Sequence, residues 1–176
     1  MKKIFILSAC LAVISFSCKK SSSSSGPSNY ITASIDGTAK TFNAGIMAFK
    51  TTQNGQTVFN VIGFSDGSAN PESFSITIGN SPTTAKPIVA GTYTEVFNPD
   101  FITVGEYIPG STTYVYASGL AAPPVNIFTV TITSIDNNSV KGTFSGDVEY
   151  LDVATAIPGS TKKTITNGSF YAKLSM

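Results

Sequence analysis

The chain has 176 residues and a formal net charge of +1, and all eleven of its basic residues are lysine, with no arginine, histidine or tryptophan anywhere. Those absences exclude imidazole-assisted nucleophilic catalysis and imidazole zinc sites. Lysines outweighed from Tyr30 onward by ten carboxylates also lack the basic, guanidinium-rich face that phosphate binding needs, so no nucleic-acid partner is expected.

The first predicted element is an export signal. Lys2 and Lys3 form a basic head, Ile4 to Phe16 an apolar run, and Ser15-Phe16-Ser17-Cys18 a close of mostly small residues. The run is too short to cross a hydrocarbon layer about 30 Å thick at about 1.5 Å per helical residue, so it reads as a tag rather than a lasting span. Both cysteines, Cys10 and Cys18, lie in this segment, which leaves no disulfide for the rest of the chain. The segment resembles the signal of bacterial lipoproteins, whose cysteine after the cut takes a diacylglycerol on sulfur. Leu7-Ser8-Ala9-Cys10 is the closer match in wording. Cutting there would leave only Ile4 to Ala9 as the apolar core and strand Leu11 to Phe16 on the mature chain, so length selects Cys18. An ordinary secretory signal with a coincidental cysteine is the alternative. Residues 1–17 are then signal peptide, residues 18–29 an acylated cysteine with a Ser-rich tether, and residues 30–176 a single domain. The tether, KKSSSSSGPSN, has nothing to pack with and a typical reach of about 17 to 20 Å.

From Tyr30 the hydrophobic period becomes two, which predicts strands. Ile31, Ala33 and Ile35 alternate with Thr32 and Ser34, and Asp36-Gly37 signals a hairpin into Thr38 to Phe42. Ile46 to Thr51 and Gln56 to Phe64 form a second pair through Asn54-Gly55, the second strand apolar on both faces as an interior strand would be. Phe74 to Ile78 and Gly91 to Val96 follow. The stretch Phe97 to Pro124 is less regular, with prolines throughout and one strand expected at Thr112 to Ala117. Its aromatics Phe97, Phe101, Tyr107, Tyr114 and Tyr116 are the candidate ligand-binding residues, since a long loop carrying flat rings and hydroxyls suits recognition. The same rings would equally serve to plug one open end of the fold. Further on, Phe128, Val130 and Ile132 alternate with threonines, and Val140, Phe144, Val148 and Tyr150 share a face opposite Lys141, Thr143, Ser145, Asp147 and Glu149. Asp152 to Ser160 is expected as a connection, and Thr164 to Leu174 as the last strand, with a turn or bulge at Asn167-Gly168. The pentapeptide IPGST occurs twice, at residues 108–112 and 157–161, and both copies read as turns feeding strands.

The segments VTITSID, VKGTFSG and ITNGSFYAKL, with the opening ITASIDGTAKTF, resemble a family of small bacterial cell-envelope lipoproteins catalogued as a domain of unknown function. Members often carry tryptophan shortly after the opening Asp-Gly, where this chain has Phe42, and surface-displayed members an acidic run after the cysteine, where it has Lys19 and Lys20. The resemblance implies a cell-envelope location and brings no catalytic residue.

What chemistry remains is that of carboxylates. Glu95, Asp100, Glu106, Asp147 and Glu149 are the acids that could flank a glycosidic bond, and two of them about 5 to 10 Å apart in a cleft would mark a hydrolase. Asp66, Ser68 and Asn70 imitate the start of a calcium loop but lack its later bidentate acid, so they read as a turn, and no metal or cofactor is expected. The expectation is an all-β antiparallel sandwich of about eight to ten strands, with a closed antiparallel barrel as the alternative. Functionally it is a lipid-anchored, non-enzymatic envelope protein of the outer membrane, whose partners are the membrane through Cys18 and an envelope protein or glycan. A carboxylate-dependent glycan hydrolase and a purely structural envelope component are the competing readings.

Overall fold

The computed structural model describes residues 28–81, 84–94, 100–110, 113–120 and 126–175. Cys18, the expected export signal and most of the expected tether lie outside them. Eleven strands form the domain: β1 (Tyr30–Ile35), β2 (Thr38–Phe42), β3 (Ala44–Gln53), β4 (Gln56–Phe64), β5 (Ser73–Asn80), β6 (Gly91–Thr94), β7 (Phe101–Ile108), β8 (Tyr114–Ala117), β9 (Thr129–Ile135), β10 (Ser139–Asp152) and β11 (Ile157–Ser175). The described residues contain no helix.

Local chemistry sets the hairpins. Asp36 and Gly37 have φ of 49° and 80°, Asn54 and Gln56's neighbour Gly55 53° and 78°, and in each case the flanking residues pair directly, Ile35 with Thr38 and Gln53 with Gln56. Positive φ at both central positions is the twist-matched two-residue turn that Asp-Gly and Asn-Gly favour. The expected irregularity at Asn167-Gly168 is a bulge inside β11: Thr32 faces Ser169 while Ser34 faces Thr166, and Asn167 has φ 52°.

All eleven strands belong to one sheet in the order β2-β1-β11-β3-β4-β5-β7-β8-β10-β9-β6, with β11 also paired to β10. The sheet therefore doubles back on itself. The layer β3-β4-β5-β7-β8 packs on the layer β2-β1-β11-β10-β9-β6, joined at one margin by the parallel contact of Leu174 and Ser175 with Ala48 and Phe49, and at the other by β8 against β10. Between the layers lies a phenylalanine core. Phe74 of β5 stacks on Phe144 of β10 with centroids 4.8 Å apart and also meets Phe42 and Phe128, and all but Phe144 are wholly buried. Each such ring removes about 150 to 250 Å² from water, enough to hold the layers without a disulfide.

The all-β, strand-paired architecture is as expected, and four local expectations are corrected. β7 lies within the stretch expected to be irregular, and it is an interior strand between β5 and β8. The second IPGST is no turn: Pro158 sits in β11 opposite Leu151, and only Gly110 of the first copy has positive φ, 81°. The expected connection from Asp152 to Ser160 shrinks to the turn 153–156, because β11 begins at Ile157. Asp147, expected on a wetted face, is 6 % exposed.

Candidate functional site

Of the five candidate aromatics, Phe97 lies outside the described residues and the other four are divided between the two ends of the domain. Phe101 opens β7 and meets Tyr93 edge-on at 5.0 Å. Tyr107, six residues on and so about 20 Å away along the strand, lies opposite Tyr116, which lies opposite Tyr150. These three rings and Tyr114 form a cluster: Tyr107 stacks on Tyr116 at 6.2 Å, and Tyr150 lies 5.0 Å from Tyr114 and 6.1 Å from Tyr116. Tyr107 and Tyr116 are buried, whereas Tyr114 and Tyr150 are half-buried.

Two ion pairs close that end. Lys40 of β2 meets Glu72, just before β5, at 2.9 Å and so ties one layer to the other; Lys163 meets Asp36 at 2.8 Å and lies 5.6 Å above the Tyr116 ring. The Lys163 hydrogen bond holds the Asp36 carboxyl below the ordinary range, and Lys163 is raised in return by Asp36. Burial, reinforced by the charge of Glu72 and a hydrogen bond with it, pushes the Tyr107 hydroxyl up to about 12. The cluster thus fills the end of the core, and its accessible part is Tyr114 and Tyr150.

The acids scatter. Glu95 lies outside the described residues, and Asp100 is paired with Lys86. Asp147 exists as a buried node because β10 shifts register between Phe144 and Gly146. Gly146 has φ 137°, and a Cβ there would fall 2.4 Å from the Cα of Phe128, so only glycine lets residues 126–128 cross so closely. The crossing brings the Asn126 carbonyl to the Asp147 N–H at 3.0 Å and the Asn126 amide to its carboxylate at 3.3 Å. Lys162 at 2.6 Å and the Thr164 hydroxyl at 2.9 Å complete the shell. Burial opposes the charge on Asp147, but these three donors together prevail and its carboxyl is held low. Glu149 shares a face of β10 with Asp147, whose carboxylate is already held by Lys162, and it also faces Glu106 across Ala117: Glu106 and Glu149 each lie opposite Ala117, one from either side, so their backbones are about 10 Å apart on one face. Burial raises the Glu106 carboxyl.

A different surface is open. On the outer face of β9, β10 and β11 lies a groove of about 470 Å³ lined by Thr129, Thr131, Thr143, Ser145, Asn167 and Ser169, with Phe144 and Gly168 at its floor. The pleat puts these hydroxyls outward because Val130, Phe144 and Phe170 point into the core. The strand pairing aligns them in a row: Thr92 opposite Thr131, then Thr143, Ser169, Thr32 and Thr41, running from β6 across to β2. A second row, Thr94, Thr129 and Ser145, runs beside it. On the other side, Lys141, Tyr171 and Tyr30 stand opposite one another, and the two tyrosine rings stack at 6.5 Å and 30°. Periodic Thr at alternate positions was legible in the sequence; that five strand pairings bring those positions into line was not.

The fold and its surfaces define an all-β domain in two packed layers with an uncharged, hydroxyl-lined groove. No protein-family profile, no curated protein and no solved structure matches this chain.

Proposed function

We propose that this chain is a lipid-anchored, non-enzymatic protein of the bacterial cell envelope, seated in the outer membrane through Cys18, that binds a partner through the outer face of β9, β10 and β11. The observation that carries the binding role is the groove, which hydroxyls, one amide and no carboxylate line. Acid–base cleavage needs two acids on either side of the scissile bond, and this groove supplies hydrogen bonds without them. The export segment ending at Cys18 and the Ser-rich tether support the anchor: two or more acyl chains, each methylene worth about 0.8 kcal/mol, hold where one chain barely does.

Intact-mass measurement of protein extracted from membranes is expected to give an acylated N-terminal Cys18, and Cys18→Ala to release the chain from the membrane or leave it unprocessed. An unacylated wild-type protein in the aqueous fraction, or a Cys18→Ala protein that stays with the membrane, refutes the anchor. A glycan hydrolase is favoured by one observation, the placement of Glu106 and Glu149 about Ala117 with the Glu106 carboxyl raised as a general acid requires. Release of reducing sugar from glycans by the wild type, lost in Glu106→Gln, would establish it in place of the binding role.

A further inference from the structure

The geometry points to a ligand class for the groove: we infer that it takes an extended, uncharged polysaccharide chain laid across the strands, along the row from Thr92 to Thr41. This rests on the proposed binding role. Three features select such a ligand. The row is made of groups that both donate and accept hydrogen bonds, repeating at the strand spacing of about 4.8 Å, which is close to the length of one pyranose residue in a β-linked chain. The Thr143 hydroxyl has no partner among the described residues, while Thr32 bonds Ser169 at 2.9 Å and Thr92 bonds Thr131 at 3.2 Å, so the row holds both free and mutually oriented hydroxyls. Beside the row, at the next outward position of β11 and β1, Tyr171 and Tyr30 offer a stacked, half-buried aromatic pair of the kind that packs on the apolar face of a sugar ring.

Charge excludes other occupants. The groove lining carries no charge, and Lys141 beside Tyr171 is the one ionic group in the flanking row. Nucleic acid and anionic lipid both need a cationic field, and a protein partner needs apolar or arginine anchors at the centre of its interface. Twist separates a flexible chain from a rigid crystalline face. Neighbouring strands turn by about 20 to 25°, so across six strands the outward normal rotates by about 100° or more, which a polymer winding along the row follows and a flat lattice does not.

The test uses the mature chain, acylated at Cys18, in detergent micelles. Affinity electrophoresis through mixed-linkage β-glucan and calorimetric titration with cellohexaose are expected to give binding that high salt leaves unchanged, with no retardation by polygalacturonate. Thr131→Val/Thr143→Val keeps side-chain shape while deleting two hydroxyls, and is expected to weaken cellohexaose binding about tenfold with an unaltered melting temperature. Tyr171→Ala is expected to weaken it by a similar factor. Failure of the wild type to bind either β-glucan probe, retardation by polygalacturonate alone, or wild-type affinity in both variants overturns the inference. Concentration-dependent dimerisation abolished by the double Val substitution would also overturn it, by making a second copy the occupant. Absence of the acyl group at Cys18 refutes the anchor and not the glycan site, which the same titration reads on the unacylated chain.

Discussion

The Asp147 node makes an asymmetric prediction about its two charges. Replacing Asp147 with Asn retains an oxygen for Thr164 and Asn126 but turns a donor toward Lys162. Because the Lys162 side chain is 45 % exposed, it swings into water, and the loss is one charge-assisted hydrogen bond, about 1 to 2 kcal/mol. Lys162→Met leaves the reverse situation: a carboxylate 6 % exposed, held by two neutral donors alone. Stripping one partner from a buried pair costs about 3 to 5 kcal/mol, and the opening to solvent where Lys162 stood lowers that to about 3 kcal/mol. The lysine substitution should therefore be the worse of the two, although lysine is the more exposed residue, and Asp147→Asn/Lys162→Met should recover most of the difference. Acid sharpens the test. The Asp147 carboxyl is held below its unfolded value in the native state, so its contribution is complete above the unfolded value of about 3.9 and fades as pH falls through the folded one. Urea unfolding of the wild type and the three variants at neutral pH and near pH 3 gives all the required free energies. Equal stability of Lys162→Met and the wild type, or a neutral-to-acid stability loss as steep in Asp147→Asn as in the wild type, would refute the reasoning.

Two further outcomes follow from the core and the tyrosine end. A Cβ at Gly105 would sit 2.2 Å from the tip of the fully buried Phe128 ring, so Gly105→Ala should destabilise by about 3 kcal/mol in urea, and Phe128→Leu introduced with it should restore part of that. Alkaline difference absorbance should show one tyrosine ionising near 12, absent in Tyr107→Phe. Since that value lies above the unfolded one, the stability linked to Tyr107 is complete below about pH 10 and falls as pH rises toward the folded value, a decline that the Phe variant lacks.

Hairpins and alternating strands were legible because their causes are local. Asp36-Gly37 and Asn54-Gly55 set their own turns, and the two-residue period of Val130 to Ile132 or Val140 to Phe144 states which side faces the core. β7 was hidden because FITVGEYI lacks a clean alternation, with Glu106 among Ile102, Val104 and Ile108 on one face and Thr103 and Gly105 on the other, where the Phe128 ring fills the space a side chain at Gly105 would take. The two IPGST copies show the limit from the other side. Identical residues leave a strand after Ile108, with Gly110 at positive φ, and open one at Ile157, where the Tyr150 ring lies over Gly159 at 2.6 Å from its Cβ position. Tertiary contact decides between them. The tyrosines of the expected binding loop were legible as a group, but their division between Phe101 and Tyr107 followed only from the strand that joins them. The hydroxyl row depends on the registers of β6, β9, β10, β11, β1 and β2 together, which no window of the sequence contains.

The placement of β11 governs how this molecule must be assembled. Its partners are β1, β10 and β3, and the contact between Thr32 and Ser169 spans 137 residues. A polypeptide leaving a ribosome or a translocation channel N-terminus first holds β1 with one side unmatched until the final segment arrives, so collapse is delayed and the opening hairpin waits as an open edge, prone to mispairing with a neighbour. Closure of this sort leaves the opening hairpin dependent on whatever shields its edge until β11 docks.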